Sequence, residues 1–223
     1  MKIIGRLVLE ETGICRLKDF PVPHAFSSTK LGNMSKKYGE DASKNQVLFF
    51  DLAGINPEKV VKIVPEFKDK VLVVNEKIEK ELECDGLITF RKGTVLALLP
   101  GDCAPIIIAD SDLTFVALLH AGRKNLFEIL DSAMKKIKDF VFSPNELLFG
   151  IGPSIKGCCY EMDLANEIKN YLIGNHGILP SQIFDANVCT FCTKIGKEYL
   201  FFSHRRSQEF KEKERRFIAV AWL

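Results

Sequence analysis

The sequence predicts an α+β fold, a single domain spanning residues 1–223 in which mixed β-sheets are flanked by helices. Apolar runs of strand length are clustered at the centre and at the end of the chain, and segments with helical periodicity lie between them. No repeat and no linker rich in Pro, Gly or Ser divides the sequence. A chain of 223 residues is long enough to bury a substantial core.

The first third of the chain predicts two strands and one helix. Residues 3–10 (IIGRLVLE) and 70–74 (KVLVV) have the composition of strands. Between them, the segment NQVLFFDLA is typical of a helix that Asp41 or Ser43 caps and that Gly54 ends.

Three continuous apolar runs form the clearest signal. They are TVLALL (94–99), PIIIAD (105–110) and TFVALL (114–119), with turn residues between them. Such runs are typical of strands that are covered on both faces.

Two helices and two strands complete the prediction. Apolar residues at three- and four-residue steps from Leu126 to Ile137 predict a helix with Asn125 as its N-cap and Glu128 completing a capping box. A second helix is predicted from Asp163 to Leu172, with Gly174 as its stop. The runs EYLFFSH (198–204) and RFIAVAWL (216–223) predict strands.

Composition limits the class of protein. The net charge of +2 rests on 31 basic and 29 acidic side chains, which argues against a nucleic-acid partner or an anionic membrane surface. The N-terminal segment is too short and too charged for a secretory signal, and no stretch is long enough to span a membrane. We therefore expect a cytoplasmic protein whose seven cysteines are reduced thiols.

Cys103 and His120 are the candidate reactive residues. Each lies next to an apolar run, Cys103 in a turn and His120 at a strand end. An imidazole can draw the proton from a thiol to make a nucleophilic thiolate, or both side chains can bind zinc. Spacing alone leaves a third interpretation open, in which both are buried structural residues.

Other polar segments carry weaker signals. HAFSSTKLGNMS offers His24 and Lys30, and FFSHRR puts Arg205 and Arg206 at a predicted strand end, where arginine can bind phosphate. The glycine-rich GIGPSIKG lacks a P-loop lysine, so a structured turn is favoured over an anion-binding loop.

Four cysteines in the second half of the chain give no clear metal signal. Cys158 and Cys159 are adjacent, which is too close for an unstrained disulfide between them. Cys189 and Cys192 form one CxxC motif, whereas a structural zinc site needs a second pair at suitable spacing. No such pair is evident, so a metal or redox role is not favoured for this motif.

Five segments in the same order resemble the YfiH-like family, long labelled laccase-domain or multicopper polyphenol oxidase proteins. They are HAFSSTKLGNMS, LLPGDCAPIIIAD, LLHAGRKNL, GIGPSIKGCCYEM and VCTFCTKIGKEYLFFSHRR. The resemblance covers nearly the whole chain. It implies a purine nucleoside phosphorylase with adenosine deaminase activity, whose small-molecule substrates are a purine nucleoside and phosphate.

The resemblance also implies a His–Cys–His site for metal binding and catalysis. Its cysteine corresponds to Cys103 and its second histidine to His120, but the position of the first histidine is best matched by Phe67. Zinc in a catalytic site takes three protein ligands, so the implied zinc set is incomplete unless Glu66 or His24 supplies the third. No copper is expected, because a multicopper centre needs many imidazoles and the chain has four histidines.

Two alternatives to the phosphorylase remain open. Phe67 and the altered stretch Arg123-Lys124-Asn125 are consistent with a divergent member that binds a nucleoside or a partner without catalysis. A metal-independent cysteine hydrolase would use Cys103 and His120 alone.

Overall fold

The computed structural model describes residues 1–74, 80–139 and 146–223. The strands in these ranges are β1 (Lys2–Ile4), β2 (Leu7–Leu9), β3 (Ile14–Leu17), β4 (His24–Ser27), β5 (Val60–Val64), β6 (Val71–Val73), β7 (Glu81–Glu83), β8 (Gly86–Thr89), β9 (Val95–Leu98), β10 (Ala104–Asp110), β11 (Val116–Ala121), β12 (Leu147–Ile151), β13 (Ile183–Asp185), β14 (Lys194–Ile195), β15 (Glu198–Tyr199) and β16 (Ala219–Trp222). The helices are α1 (Ala42–Ala53), α2 (Leu126–Lys138), α3 (Leu164–His176) and α4 (His204–Glu209).

Two large sheets organise these strands. The described strands form an eight-stranded sheet in the order β1-β2-β3-β4-β16-β9-β5-β7, a six-stranded sheet in the order β13-β12-β10-β11-β8-β6, and a small β14-β15 pair. Both large sheets contain parallel and antiparallel neighbours, for example parallel β5–β9 and antiparallel β16–β9 in the first. The predicted α+β class with mixed sheets is therefore confirmed.

Side-chain alternation along the central strands creates two of the hydrophobic cores. Ile106 and Leu119 belong to the core that contains Leu130 of α2, whereas Ile107 and Leu118 belong to the core between the two large sheets. Because successive residues of a strand point to opposite faces, continuous apolar runs supply both cores at once.

A third core lies on the far side of the eight-stranded sheet. Ala97 of β9 and Val220 of β16 pack there with Phe49 of α1. The molecule is thus layered as helices, sheet, sheet and helix, and the six-stranded sheet lies in its interior. Burying each Leu, Ile or Phe side chain in such a core contributes about 2 kcal/mol.

Some helix ends lie where the sequence predicts them and one does not. Gly54 ends α1 with a φ of 70°, a left-handed conformation that glycine adopts without strain, as predicted. Asp163 caps α3 by accepting a hydrogen bond from the amide of Asn166. The predicted stop at Gly174 is wrong, because α3 continues to His176 and ends at Gly177, whose φ is 69°.

Two further predictions need correction. The predicted capping box at Asn125 is wrong, because its side chain makes no cap hydrogen bond and instead binds the backbone around the candidate site. The run 198–204 is a strand only at Glu198–Tyr199, and His204 opens α4 with Ser203 as its N-cap. A serine followed by polar helix formers outweighs the strand propensity of the preceding aromatic residues.

Among the described residues, no helix has the length and apolar character needed to cross a bilayer.

Candidate active site

Cys103 and His120 meet at one edge of the six-stranded sheet. In the antiparallel β10–β11 pair, Ala104 lies opposite Ala121 and Pro105 opposite His120. Cys103 therefore precedes β10 at the edge where β11 ends, and its thiol hydrogen-bonds with the His120 ring. The adjacent Gly122 leaves room for this contact, since a Cβ there would lie 3.0 Å from the Cys103 Sγ.

A buried carboxylate orients the imidazole. Asp85, which immediately precedes β8, lies 2.8 Å through Oδ1 from Nδ1 of His120, and both side chains are almost fully buried. The opposite edge of the ring is thereby directed to Cys103. Thiol, imidazole and carboxylate form a chain of the kind in which a base is oriented by a third group.

The loop before β6 wraps around the Asp85 carboxylate. The amides of Glu66 and Lys68 donate to Oδ2 at 3.1 and 2.9 Å, and the amide of Phe67 also donates to this carboxylate. Phe67 has a φ of 60°, a left-handed conformation that costs a non-glycine residue about 1 kcal/mol. Successive amides in such a turn form a concave anion site, and the carboxylate offsets the strain.

These contacts set the charge of the pair. Burial by itself would lower the pKa of His120, but the hydrogen bonds with Asp85 and Cys103 raise that pKa to about 9. Burial would raise the pKa of Asp85, but hydrogen bonds from His120 and from the Lys68 amide hold it below its usual value. At neutral pH the imidazole therefore carries a proton beside the thiol.

Asn125 braces the same site. Its side-chain oxygen accepts from the amide of Gly122, and its side-chain nitrogen donates to the carbonyls of His120 and Lys68. One amide thus joins the end of β11 to the loop that surrounds Asp85.

The residues present do not fit a three-ligand catalytic zinc site. The Phe67 ring lies edge-on against His120 with ring centroids 4.9 Å apart, so an apolar ring stands beside the pair where the resemblance implies a histidine. The Glu66 carboxylate pairs with Lys68 instead, 3.0 Å from its Nζ. Cys103 and His120 supply two donors, one fewer than catalytic zinc requires.

His24 does not complete the set either. It is buried in β4, where Nε2 accepts from the amide of Leu17 at 2.6 Å and Nδ1 faces the carbonyl of Val22 at 2.6 Å. The structure does not bring His24 into the cavity that holds Cys103.

The pair opens into a cavity of about 1080 Å³, which both Cys103 and His120 line. Aromatic and cationic side chains share its wall: Tyr38, Phe67, Tyr160, Lys36, Lys37, Lys62, Arg123, Lys124, Arg205 and Arg216. The cavity therefore combines the Cys103–His120 pair with flat apolar surfaces and positive charge.

The other three predicted binding residues lie in three different places. Arg205 lines this cavity, with its guanidinium carbon 4.4 Å from the centre of the Tyr160 ring. Lys30 lines a separate surface depression and donates to the Glu11 carbonyl. Arg206 is buried and donates to the carbonyls of Thr190, Phe191 and Phe201, which is a structural arrangement.

Sequence reasoning missed Asp85 and Tyr160. An Asp-Gly pair before a strand is an ordinary turn signal, and nothing local marks its carboxylate as a partner of a histidine 35 positions away. Tyr160 lies in the segment GIGPSIKGCCYEM, but only the path of the chain places it on the cavity wall.

The expectation that the CxxC motif lacks a second cysteine pair is wrong. The sulfur atoms of Cys158, Cys159, Cys189 and Cys192 all lie within 4.8 Å of one another. This quartet could bind a metal. The four histidines, by contrast, lie on four separate elements, β4, β11, α3 and α4.

Comparison with known proteins places this site in a family context. A family model described as multi-copper polyphenol oxidoreductase laccase matches residues 21–170. A Clostridium acetobutylicum protein named purine nucleoside phosphorylase is 24% identical over 223 residues, covering 89% of this chain and 92% of that protein. A Campylobacter jejuni protein of the same name is 30% identical over 202 residues, covering 80% of this chain and 84% of that one.

Solved structures support the fold. The Bacillus licheniformis hypothetical protein YfiH superposes with a TM-score of 0.85 at 21% identity, over 99% of this chain and 100% of that one. YlmD from Geobacillus stearothermophilus gives a TM-score of 0.79 at 20% identity, over 98% and 99% of the two chains. The chain belongs to the multi-copper polyphenol oxidoreductase laccase family, the YfiH-like proteins.

Proposed function

We propose that the protein is a purine nucleoside phosphorylase that acts on adenosine- and inosine-type nucleosides at the cavity of Cys103 and His120. One observation carries the proposal: a single cavity combines the Cys103–His120–Asp85 chain with aromatic and cationic side chains. The names of the Clostridium and Campylobacter relatives support the same reaction class.

The cavity wall suits both substrates. Tyr160 and Phe67 offer aromatic faces on which a purine can stack, and a volume of about 1080 Å³ accommodates a nucleoside with phosphate beside it. Arg205 is the leading phosphate contact, because a guanidinium binds phosphate oxygens in a two-pronged geometry. Lys36, Lys37 and Lys124 add positive charge along the same wall.

The chemistry follows from the reacting atoms. A phosphate oxygen bonds to C1′ of the ribose, the bond from C1′ to the purine nitrogen breaks, and the base leaves as a neutral molecule only if it gains a proton. Protonated His120, held by Asp85, supplies that proton at the Cys103 side of the cavity. No step is assigned to a metal, because the donor set here is incomplete.

The proposal extends to adenosine deamination. In that reaction a water oxygen bonds to C6 of the adenine ring, ammonia leaves, and the product is inosine. The same Cys103–His120 pair is the candidate to transfer protons between the water and the leaving ammonia, since both side chains are titratable and line the cavity.

Product analysis tests both activities. Adenosine with phosphate is expected to yield adenine and ribose 1-phosphate, and inosine to form from adenosine whether or not phosphate is present. Base release that does not need phosphate contradicts phosphorolysis. Binding of adenosine by calorimetry without any product supports the nucleoside-binding module instead.

A second candidate, a metal-independent cysteine hydrolase, is favoured by the thiol–imidazole–carboxylate chain itself. In this alternative the Cys103 thiolate bonds to an acyl carbon, the leaving group departs with a proton from His120, and water then hydrolyses the thioester to free the acid and the thiol. A burst of product from an activated ester, with a covalent mass increase at Cys103, would support it. Phosphate-dependent cleavage of nucleosides without such an adduct favours the phosphorylase.

A further inference from the structure

Four cysteines lie together outside the candidate active site. Cys158 and Cys159 follow β12, and Cys189 and Cys192 follow β13. Strands β12 and β13 pair in parallel, and a bridge between Ser154 and Cys189 continues this pairing into the loops. Parallel pairing puts the ends of both strands at the same edge, so two cysteine pairs 30 residues apart in sequence converge.

The spacing of the sulfur atoms matches a tetrahedral metal site. All four lie within 4.8 Å of one another, and those of Cys158 and Cys192 are 3.6 Å apart. Zinc–sulfur bonds of about 2.3 Å place the sulfurs of a tetrahedron about 3.8 Å apart. The distances between the sulfur atoms therefore need to shorten by at most about 1 Å for the quartet to surround one ion.

Backbone and charge around the quartet suit thiolate ligands. The amides of Cys192, Lys156 and Phe191 hydrogen-bond to the Cys189 sulfur. The buried guanidinium of Arg206 holds the carbonyls of Thr190 and Phe191, the two residues between the cysteines of the CxxC motif. Donors and a cation at this place offset the negative charge of four thiolates around a divalent ion.

We propose that Cys158, Cys159, Cys189 and Cys192 bind one zinc ion in a closed, structural site. Four soft thiolates in tetrahedral arrangement select zinc or iron–sulfur chemistry, and four protein ligands around one ion leave no position open for a substrate. The site is a binding site for a metal and takes no part in a reaction.

The position of the quartet gives the ion a mechanical role. Thr190 donates its hydroxyl to Asp102 Oδ1 at 2.7 Å, and Asp102 Oδ2 accepts from the amide of Arg205 at 2.7 Å. Asp102 immediately precedes Cys103, and Cys159 immediately precedes Tyr160. A metal at the quartet thus fixes two loops that carry part of the cavity wall, whatever reaction the cavity performs.

Metal content tests the site independently of activity. Protein purified under reducing conditions without added metal is expected to hold about one zinc per chain. Cys158 and Cys192 are exposed, so their joint replacement by serine opens no core, and zinc content is expected to fall close to zero. Two controls, Cys15→Ala in the core and Cys103→Ala in the cavity, are expected to keep the ion.

Cobalt exchange and thiol titration identify the ligands directly. Cobalt in four-thiolate tetrahedral coordination gives intense charge-transfer and visible bands, which the double serine variant is expected to lose. Four thiols are expected to resist a thiol reagent until a chelator is added. Protection that survives the chelator and ends only with a reductant indicates a disulfide and overturns the proposal. Zinc that is retained in the double serine variant but lost in Cys103→Ala overturns it as well.

Discussion

The Cys103–His120 pair and the cysteine quartet are two sulfur sites built in different ways. At the pair, the apolar Phe67 ring packs against the His120 imidazole, and the buried Asp85 carboxylate hydrogen-bonds to the same imidazole. At the quartet, the four sulfur atoms lie within 4.8 Å of one another. The first opens into a large cavity, whereas the second closes a junction between two loops.

We infer from this difference that the number of donors decides which of the two sites can hold a metal. Two donors and an oriented proton leave Cys103 and His120 available for chemistry with a substrate. Four thiolates fill all the coordination positions of a zinc ion, so neither the ion nor the bound thiolates are available to a substrate. The family resemblance directs attention to the pair as the metal site, but the ligand count favours the quartet.

The largest effect is expected from Cys103→Ala. Removing the thiol takes away the partner of His120 at the cavity wall, and phosphorolysis of adenosine is expected to fall by about 1,000-fold or more. Steady-state assays of adenine release measure the loss. Cys15→Ala, which removes a buried thiol from the core between the sheets, is the matched control and is expected to keep its activity. Equal activity in both variants would remove Cys103 from the mechanism.

Asp85→Asn is expected to give the next largest loss, roughly 100-fold or more, because an amide no longer holds the protonated imidazole. The His120 pKa, raised to about 9 in the native site, is expected to fall when the carboxylate charge is removed. Activity that depends on protonated His120 declines as pH rises through this pKa, so the alkaline limb of the rate profile should move to lower pH. An unshifted limb would mean that Asp85 acts only on folding.

The buried His24 is expected to make the stability of the fold depend on pH. Burial lowers its pKa from 6.5 to about 4, so between these values the unfolded chain binds a proton that the native state excludes. Stability therefore falls as the pH is lowered from 6.5 to 4, by about 3 kcal/mol in total. Urea titrations at several pH values measure it. His24→Gln is expected to flatten this dependence. The same slope in the variant and the unsubstituted protein would contradict the assignment.

Phe67→His is expected to have the smallest effect on the fold and the clearest effect on metal content. Histidine tolerates the left-handed φ of 60° better than most residues, and its imidazole would supply a third donor beside Cys103 and His120. Zinc content is expected to rise from about one to about two per chain. Phe67→Ala removes the ring without adding a donor and should keep about one zinc. No increase in Phe67→His would show that donor number is not what keeps zinc from the pair.

The fold was largely predictable from the sequence, because its strongest signals are local. The continuous apolar runs correspond to β9, β10 and β11, and the alternate faces of each strand contribute to two different cores. The predictions failed where a short polar cue competed with apolar residues, as at Ser203, which starts α4 inside a predicted strand. Asn125 is at the predicted N-cap position of α2, but its side chain binds Gly122 and the loop around Asp85 instead of capping the helix.

The candidate site was predictable only in its two central residues. The Cys103–His120 pair follows from the resemblance, and the antiparallel register explains why the two residues meet. Asp85 and the cysteine quartet depend on long-range pairing of β8 with β11 and of β12 with β13, which no local pattern encodes. A search for metal spacing along the chain misses ligands that converge only through a parallel sheet.

A double-mutant cycle on Cys103 and His120 measures whether the thiol and the imidazole act as one unit. kcat/KM for phosphorolysis of adenosine would be measured for the wild type, Cys103→Ala, His120→Gln and the double variant. If the two residues act as one reactive unit, the double variant loses no more activity than the worse single variant. Losses that multiply would mean that the thiol and the imidazole act separately and do not form a shared reactive pair.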